Sequence, residues 1–415
     1  MLFALALGAL LQTAAPPDTV DTPPPDGAGR DAGADVEVRA RLAPTALYTP
    51  NYGVGIGGGV GVRNLGWPGS DLTVDVRLQE HFQGARVAAF TGDPYAERVT
   101  GLVAVAASTT DRRRYYGLGP NTLDADELFL NHEAASVEGR VGVYPLGTSA
   151  LLVQPGVRLL YDRSGGVVEE DSEVPLSVLD PASQEAVRIA TGEARYGLSV
   201  GVELATDLRD APLYPRSGTF ATVEARRFVA LDGSDLQLNR FSGSYTAYLP
   251  VRGRTTVVVR GVAAVTRSLD GDGDGRSDPI PFFYLPVLDE RVAAAFRQDR
   301  LTGRDLLAGG AGLRFPVVSA FGVYGLDALV MGYLGNAYDD VFAQFEPDIS
   351  FSGRALPGPD GRAPLRPSLA LGLGLVDLDA ERVVVGGLLG VGPGGFTVAA
   401  LRIAYDLRDA RPLFR

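Results

Sequence analysis

The chain of 415 residues is long enough for two or three ordinary domains or for one large barrel. Its formal net charge of −12 argues against nucleic acid as a partner, and 46% hydrophobic residues are too many for a disordered chain. The chain contains no cysteine, which excludes a disulfide framework, a thiolate metal site and a cysteine nucleophile.

The first residues form a short apolar run that ends in small residues. Leu2–Leu11 is too short to cross a bilayer as a helix, and Thr13-Ala14-Ala15 suits a signal peptidase. No Lys or Arg precedes the run, which departs from the usual signal pattern and leaves a core helix as the alternative. We predict a cleaved signal peptide over residues 1–15, followed by a disordered Pro- and Gly-rich tether over residues 16–36.

From residue 37 onward, apolar residues alternate with small or charged ones, which is the period-two pattern of a β-strand. A soluble sandwich turns its apolar face inward, whereas an outer-membrane barrel turns it toward lipid, so the alternation alone leaves both open. The predicted strands are 38–50, 52–64, 69–79, 83–92, 97–110, 131–145, 149–163, 193–206, 219–230, 236–250, 253–267, 304–315, 319–334, 365–376, 381–391 and 395–407.

The connections between these strands alternate between short and long. If the chain starts in the periplasm, every short turn falls on the periplasmic side and every long loop outside, as in outer-membrane barrels. We therefore predict an all-β fold, a transmembrane antiparallel β-barrel of about 16 strands over residues 37–415. Aromatic residues near strand ends are expected to form interfacial girdles, namely Tyr48, Tyr144, Tyr161, Tyr248, Phe315 and Tyr333.

A Pro-rich segment, Asp207–Gly218, connects two of the predicted strands. Pro212 and Pro215 cannot donate to a sheet ladder, and Gly218 supplies backbone freedom, so the segment is predicted to be a rigid turn. Its pattern resembles the turn after the eighth strand of the BamA/TamA outer-membrane barrel superfamily, also called the bacterial surface antigen family. The residues that carry this resemblance are Asp207, Arg209, Asp210, Tyr214, Pro215 and Gly218.

Four other segments resemble the same family, in the same order along the chain. They are similar to its opening hairpin, a loop element with the pattern Tyr-Tyr-Gly-x-Gly, its sixth loop and the strand after that loop. The resemblance covers roughly residues 40–415. The segments are Pro50–Gly57, Tyr115–Gly119, a sixth-loop motif with Phe296, Arg297, Asp299 and Arg300, and a strand motif with Arg314, Phe315 and Pro316.

Two features depart from the family pattern. The family's sixth loop carries an Arg that lies inside the barrel against carboxylates, but here Ala294-Ala295-Phe296 stands in its place. A Glu usual in the next strand is Gly312, and loss of both charges avoids a buried charge without a partner. Arg297 and Arg300 are then expected to tether the loop. Family assembly factors also carry periplasmic POTRA domains, for which the short tether leaves no room, so we expect a member without them.

The resemblance implies an integral outer-membrane protein that takes part in protein assembly, insertion or translocation, with no enzymatic step and no cofactor. A passive channel or a surface-exposed structural protein without insertase activity is the alternative. The implied partners are outer-membrane lipid and lipopolysaccharide, unfolded outer-membrane or secreted proteins, and a separate POTRA-bearing or periplasmic protein. Nucleic acid is not among them.

One segment of the expected sixth loop has the spacing of a calcium-binding loop. Asp270, Asp272, Asp274 and Asp278 place carboxylates at short intervals, as such loops do. Pro281 stands where a bidentate Glu is expected, so a Ca²⁺ site and a solvated acidic loop both remain open.

Three further motifs point to chemistry only weakly. Gly53–Gly58 matches the dinucleotide pattern G-x-G-x-x-G, but a strand follows it where a helix is required. His81 and His132 are the only histidines, and without a G-x-S-x-G or H-E-x-x-H motif they favour neither a hydrolase nor a zinc site. An outer-membrane lipase with a Ser–His dyad is the remaining enzymatic alternative. Arg112–Arg114 is interpreted as a solvated loop run, with lipopolysaccharide phosphates as an alternative ligand.

Overall fold

The computed structural model describes most of the chain from residue 39 to residue 403 as β-structure. The predicted signal peptide, the tether and the candidate Ca²⁺ ligands Asp270, Asp272, Asp274 and Asp278 lie outside the described residues. The structure describes residues 39–49, 52–63, 70–91, 99–120, 122–145, 151–211, 214–269, 279–288, 296, 299–320, 324–351, 361–378, 382–392 and 395–403.

The strands follow the period-two segments of the sequence closely. The fold class predicted from the sequence is therefore confirmed. The described strands are β1 (Arg39–Thr49), β2 (Gly53–Arg63), β3 (Asp71–Gln79), β4 (Phe82–Thr91), β5 (Val99–Tyr115), β6 (Leu128–Val143), β7 (Leu152–Val167), β8 (Arg195–Asp207), β9 (Gly218–Ala230), β10 (Gln237–Arg252), β11 (Thr255–Ser268), β12 (Val287–Leu288), β13 (Leu301–Thr302), β14 (Asp305–Ala320), β15 (Tyr324–Tyr338), β16 (Phe345–Ile349), β17 (Ala363–Asp377), β18 (Arg382–Gly392) and β19 (Gly395–Ile403).

The main sheet of the described chain has 17 strands and closes on itself, because β19 pairs with β1. One of the 17, the short strand β16, pairs in parallel with β17, although β15 and β17 also pair with each other directly. The other sixteen run antiparallel in chain order around a barrel, and β12 and β13 form a separate two-stranded sheet in the connection from β11 to β14. Closure removes the free edges that a bilayer could not hydrate.

The apolar face of the sheet points outward. On β5, Val103 is 58% exposed while its neighbour Leu102 is 2% exposed, so the two faces differ sharply. The same alternation places Leu369, Leu371 and Leu373 of β17 on the outer face. A soluble sandwich would bury these side chains, whereas a barrel in lipid presents them to acyl chains. The arrangement decides between the two interpretations that the sequence pattern left open.

The connections extend from two different ends of the barrel. The links 208–217, 253–254 and 321–323 leave one end, which we call the short-turn end. Longer links leave the opposite, long-loop end, and the link 269–304 is called the sixth loop below. The four longest links, 116–127, 168–194, 269–304 and 339–362, all leave the long-loop end. The two-residue link 80–81 leaves that end too, so the predicted strict alternation of short and long connections is only partly correct.

Within the described ranges, helical structure is found only at the long-loop end. Helix α1 (Pro181–Arg188) starts at Asp180, whose carboxylate accepts hydrogen bonds from the amides of Ala182 and Ser183. A one-turn helix, α2 (Val341–Gln344), follows β15. Single 3₁₀ turns cover Asp124–Asp126, Leu176–Val178 and Phe282–Tyr284. None of the described helices has the length and apolar character needed to cross a bilayer.

The predicted aromatic girdles are only partly correct. Tyr144 and Tyr333 are buried among inward-facing side chains, and Tyr248 packs against the same cluster as Tyr333. Tyr161 instead packs against the exposed Tyr196, with the ring centres 5.4 Å apart and the planes tilted. Alternation decides which face an aromatic side chain joins, and closeness to a strand end does not. Among the described residues, the exposed strand aromatics are Tyr196, Phe241, Tyr245, Tyr324 and Phe345.

Candidate functional site

The link between β8 and β9 carries a side chain that crosses the short-turn end of the barrel. Tyr214 is 2% exposed, and its hydroxyl donates a hydrogen bond to Asp327 on β15. Burial and this hydrogen bond raise the pKa of Tyr214 to about 12, so the phenol stays protonated as a donor. Pro212 and Leu213 lie outside the described residues.

Two carboxylates hold the same link in shape. Asp207 accepts two hydrogen bonds from the Arg209 guanidinium, at 2.8 and 2.7 Å, and both side chains are buried. Asp210 accepts backbone N–H bonds from Arg216 at 2.9 Å and Ser217 at 3.1 Å. Burial alone would raise the pKa of Asp210, but these hydrogen bonds outweigh it and hold the pKa below the ordinary value. Gly218 has φ of 97°, which no other residue type adopts without strain.

The strand motif after the sixth loop meets this link. The Arg314 guanidinium lies 3.9 Å from the centre of the Tyr214 ring and donates to the Pro215 carbonyl. Phe315 and Pro316 follow on β14, and Pro316 stands at a β-bulge opposite Asp327. Two motifs 99 residues apart in sequence, counted between Pro215 and Arg314, therefore form one cluster at the short-turn end.

The sixth loop turns into the barrel lumen. Phe296, Leu288 and Leu301 are buried among inward-facing side chains of β11, β14, β15 and β17. Asp299 is also buried, and its backbone is left-handed with φ of 54°. On the opposite side of the lumen, three rings of the loop contact the wall. Phe283 stacks on His132, and Phe282 and Tyr284 pack at a tilt against Tyr115 and Phe228, respectively. The loop therefore spans the lumen from one wall to the other.

Two buried arginines fix the long-loop end. Arg300 donates to the hydroxyl of Thr122 at 2.8 Å and to its carbonyl at 3.0 Å, and stacks over Tyr116 at 4.9 Å. Arg366 on β17 donates to the same Thr122 carbonyl at 3.2 Å and to the carbonyl of Pro120. The Gly119 amide bonds the Thr302 carbonyl at 2.8 Å. The predicted sixth-loop and Tyr-Tyr-Gly motifs thus form a second cluster.

The departures from the family pattern fit this geometry. Ala294, Ala295 and Arg297 lie outside the described residues, so the predicted tether through Arg297 stays a prediction. At Gly312 a Cβ atom would overlap the Val330 carbonyl and the Met331 side chain, so the position has no room for a carboxylate. Arg300 supplies a tether from the loop itself.

Charged side chains form a ladder across the inner wall from β6 to β9. Arg140 bonds Glu138 at 2.6 Å and Glu203 at 2.9 Å. Arg226 bonds Glu224 and lies 3.4 Å from Glu138. Such pairing offsets part of the cost of removing these charges from bulk water. A lumen lined in this way is polar, as expected of a barrel whose apolar side chains face lipid.

The structure shows where the weakly indicative sequence motifs lie and which residues they contact. Gly53 opens β2, so the G-x-G-x-x-G match belongs to a strand. His132 contacts Asp162 and Arg113, both at 3.2 Å, and His81 contacts Asp111 at 3.1 Å and Arg112 at 3.2 Å.

The interpretation of Arg112–Arg114 as a solvated loop run is wrong. The three arginines extend β5, and Arg114 forms a 2.7 Å ion pair with the buried Glu127. In the part of the chain that the structure describes, no group of three or more metal-binding side chains is found.

β1 pairs with β2 on one side and with β19 on the other, which closes the ring. β1 pairs with β2 along its whole length, from Arg39 to Thr49. With β19 it pairs, in the described residues, at Ala46, Leu47 and Tyr48 only. We call the β1–β19 junction the seam. In this antiparallel register the positions opposite Arg39–Thr45 fall beyond residue 403, outside the described residues.

Sequence reasoning missed several of these residues. The inward-facing charges Glu224 and Arg226 alternate with apolar neighbours on β9, and this signal was available in the pattern. Nothing in the local sequence distinguishes Arg366 or Thr122, because their partners lie more than 150 residues away. Tyr214 and Arg314 were found as separate motifs, but their contact depends on barrel closure.

Comparison with known proteins supports the fold. No protein-family model and no curated protein matches the sequence. Among solved structures, BamA from Haemophilus ducreyi lacking POTRA domains 1-3 has a TM-score of 0.55 at 12% identity, covering 88% of this chain and 69% of that one. CdiB from Escherichia coli has a TM-score of 0.50 at 10% identity, covering 88% of this chain and 63% of that one.

CdiB from Acinetobacter baumannii has a TM-score of 0.49 at 10% identity, covering 89% of this chain and 60% of that one. The chain thus spans less than two thirds of either CdiB structure. At such identities a likeness establishes the fold and leaves activity open. The resemblance to BamA-type outer-membrane barrels that the sequence motifs indicated is confirmed for the fold.

Proposed function

We propose that this protein is an integral outer-membrane barrel that assists the insertion or translocation of other proteins. The observation that carries the proposal is the seam, where the described residues of β1 and β19 pair at three positions. The seam joins the first and last strands of the ring without a connecting turn, so it can part without strain on a loop, and an opened edge offers pairing groups to an incoming strand.

The outward-facing valines and leucines support a place in lipid. Strands such as β17 present Leu369, Leu371 and Leu373 outward, where acyl chains would cover them. Lipid and lipopolysaccharide are therefore the proposed surroundings. The proposed clients are unfolded outer-membrane or secreted proteins. A separate POTRA-bearing or periplasmic protein is proposed to deliver them to the barrel.

The proposed action is non-covalent and uses neither a cofactor nor an enzymatic step. In this mechanism the β1–β19 pairs part, the exposed ladder groups template a client strand, and the client leaves sideways into the bilayer. Both histidines contact an aspartate and an arginine, which gives each a structural partner in place of a serine nucleophile.

A passive channel is the competing function, and the sixth loop argues against it. Phe296 and Leu301 pack in the lumen, and Arg300 ties the loop to Thr122, so the described loop obstructs the pore. A porin would give a large, steady, ohmic conductance in planar bilayers. We expect a small and fluctuating conductance from this protein.

A reversible cross-link tests the seam. The variant Ala46→Cys/Ile403→Cys places cysteines at aligned positions of β1 and β19, and the chain has no other cysteine. The matched control, Val157→Cys/Val200→Cys, joins aligned positions of β7 and β8. Each protein is reconstituted into lipid vesicles, and the folding rate of an added urea-unfolded eight-stranded barrel protein is measured before and after oxidation.

We expect the wild-type protein to accelerate client folding. Oxidation of the seam variant should abolish the acceleration, and reduction should restore it, while oxidation of the control variant has no effect. Equal acceleration by the oxidised and reduced seam variant would show that the seam does not open during function.

A further inference from the structure

A cavity of about 610 Å³ lies in the lumen against the inner face of β3–β11. Phe283 and Tyr284 of the sixth loop line it at the long-loop end. Its wall carries more positive than negative charge, although the whole chain has a formal net charge of −12. The charged lining residues are Arg77, Arg86, Arg158, Arg226 and Arg240, with Asp75 and Asp162.

Two of these arginines face each other. Arg226 on β9 and Arg240 on β10 are directly opposed in the strand register. Like charges in this position destabilise a sheet. The electrostatic neighbours of Arg240 are Glu224, whose carboxylate Arg226 already binds, and Arg226 itself. Arg226 also contacts Glu138, which Arg140 shares. The cluster thus has four arginines, Arg140, Arg158, Arg226 and Arg240, against three carboxylates, Glu138, Glu203 and Glu224, and keeps a net positive charge.

Nitrogen atoms of this cluster are buried without a hydrogen-bond partner. The Nη1 atom of Arg226 and the Nε atom of Arg158 both belong to this class. Arg158 is aligned with Glu138 in the β6–β7 register, but Glu138 is bonded to Arg140 and lies 3.4 Å from Arg226. A buried donor without an acceptor costs about 1–3 kcal/mol, more for a charged group. These donors line a space large enough to hold a small molecule.

We infer that the cavity binds a small organic oxyanion, with Arg158, Arg226 and Arg240 as the residues that hold its phosphate or carboxylate group. Guanidinium groups match the geometry of such oxygens and form charge-assisted hydrogen bonds with them. The lining also includes the apolar residues Leu160, Phe228 and Leu238, and the aromatic rings of Phe283 and Tyr284. The ligand therefore joins one anionic group to a small apolar or aromatic part.

This inference does not depend on the seam. An oxyanion in the cavity would relieve the Arg226–Arg240 repulsion and satisfy the buried donors whether or not the protein handles clients. Because the sixth loop lines the site through Phe283 and Tyr284, the ligand would also favour the loop conformation described above.

The site is tested by titrating phenyl phosphate into the purified full chain in detergent micelles. Binding is measured by calorimetry at low ionic strength. Benzoate is the carboxylate probe, and benzyl alcohol is the neutral probe of similar size. We expect saturable 1:1 binding of one or both anions and much weaker binding of the alcohol. Arg240→Gln and Arg158→Gln should each weaken anion binding about tenfold, since each removes a charge-assisted hydrogen bond. Arg188→Gln, on exposed α1, should leave binding unchanged.

Stability separates a ligand site from a purely structural role. Because Arg240→Gln removes one of two opposed like charges, we expect its urea midpoint to equal or exceed that of the wild-type protein while anion binding is weakened as stated above. If Arg240 only supports the fold, the variant will be less stable and will bind as before. The inference is overturned by that result, by absent anion binding in the wild-type protein, or by equal affinity for benzyl alcohol.

Discussion

The hydroxyl of Tyr214 donates a hydrogen bond to the carboxylate of Asp327, which lies 113 residues further along the chain. Tyr214 belongs to the link between β8 and β9, whereas Asp327 belongs to β15, four places further around the ring. Arg254 binds the same carboxylate, and Arg314 lies over the Tyr214 ring. The link thus closes part of the short-turn end and does more than connect neighbouring strands.

Removing the hydroxyl alone measures the strength of this tie. In Tyr214→Phe the ring keeps its contact with Arg314, and Asp327 keeps Arg254. We expect the free energy of unfolding to fall by about 1.5–3 kcal/mol, the usual contribution of a hydrogen bond to a charged group. Urea unfolding in lipid vesicles, followed by circular dichroism, measures the change. Tyr324→Phe, at an exposed position, is the control and should be neutral; an equal loss in both variants would contradict the prediction.

Acid should weaken the same link through Asp210. Its pKa is lower in the folded protein than the ordinary value of 3.8, so its carboxylate stabilises the fold above about pH 4. That contribution disappears as the pH falls through the folded-state pKa. We expect Asp210→Asn to lower the free energy of unfolding at pH 7 and to match the wild-type protein near pH 2.

The exposed aspartate of the β9–β10 loop, Asp235, provides the comparison for this pH series. Asp235→Asn should follow the wild-type unfolding curve at every pH. A deficit of Asp210→Asn that stays constant down to pH 2 would mean that its hydrogen bonds to Arg216 and Ser217 do not depend on the ionised carboxylate.

The two buried arginines should control order at the long-loop end. Arg366→Met keeps much of the side-chain volume but removes the donors to the carbonyls of Pro120 and Thr122. We expect the Gly119 amide, bonded to Thr302, to exchange at least tenfold faster with deuterium, because that exchange requires local opening. Arg188→Met on α1 is the matched control. Unchanged exchange at Gly119 would show that Arg366 does not hold this cluster.

A charged side chain on the outward face of the barrel should destabilise the protein in lipid. Val103→Arg places a cation on the outer face of β5. A lipid-facing Arg near the bilayer centre destabilises a barrel by about 2–4 kcal/mol. Ser108→Arg places the same cation on the same strand but against the luminal cavity. We expect the first variant to fold into vesicles in lower yield and the second to fold normally, as judged by mobility on cold SDS gels. Equal yields would argue against lipid at Val103.

Period-two alternation predicts the strands because each inward-facing position differs chemically from its outward-facing neighbour. The barrel was predicted from connection lengths as well, and this signal is sound only for the longest links, which all leave one end. Helix α1 was missed because its eight residues are held by the Asp180 cap and by burial of Ala186 and Val187, and such short segments carry little periodicity. Tyr333 was wrongly predicted to lie in an interfacial girdle. The prediction rested on its position near a strand end, and that position does not determine which face of the sheet a side chain joins.

The site was predicted as separate motifs, and the structure joins them in pairs. Arg300 was expected to tether the sixth loop, but its partner Thr122 depends on how two long loops fold over one another. Such contacts depend on closure of the ring, which local sequence does not encode. Asp299, Phe315 and Pro316 were found by pattern, and their roles stay predictions.

The link between β8 and β9 stands half a ring away from the seam, because eight strands lie on each side of it. The ties described above clamp β8, β9, β14, β15 and β17 to one another and to the loops above them, and none of these ties includes β1 or β19. If β1 and β19 separated as proposed, these ties would still hold together the part of the barrel around the β8–β9 link.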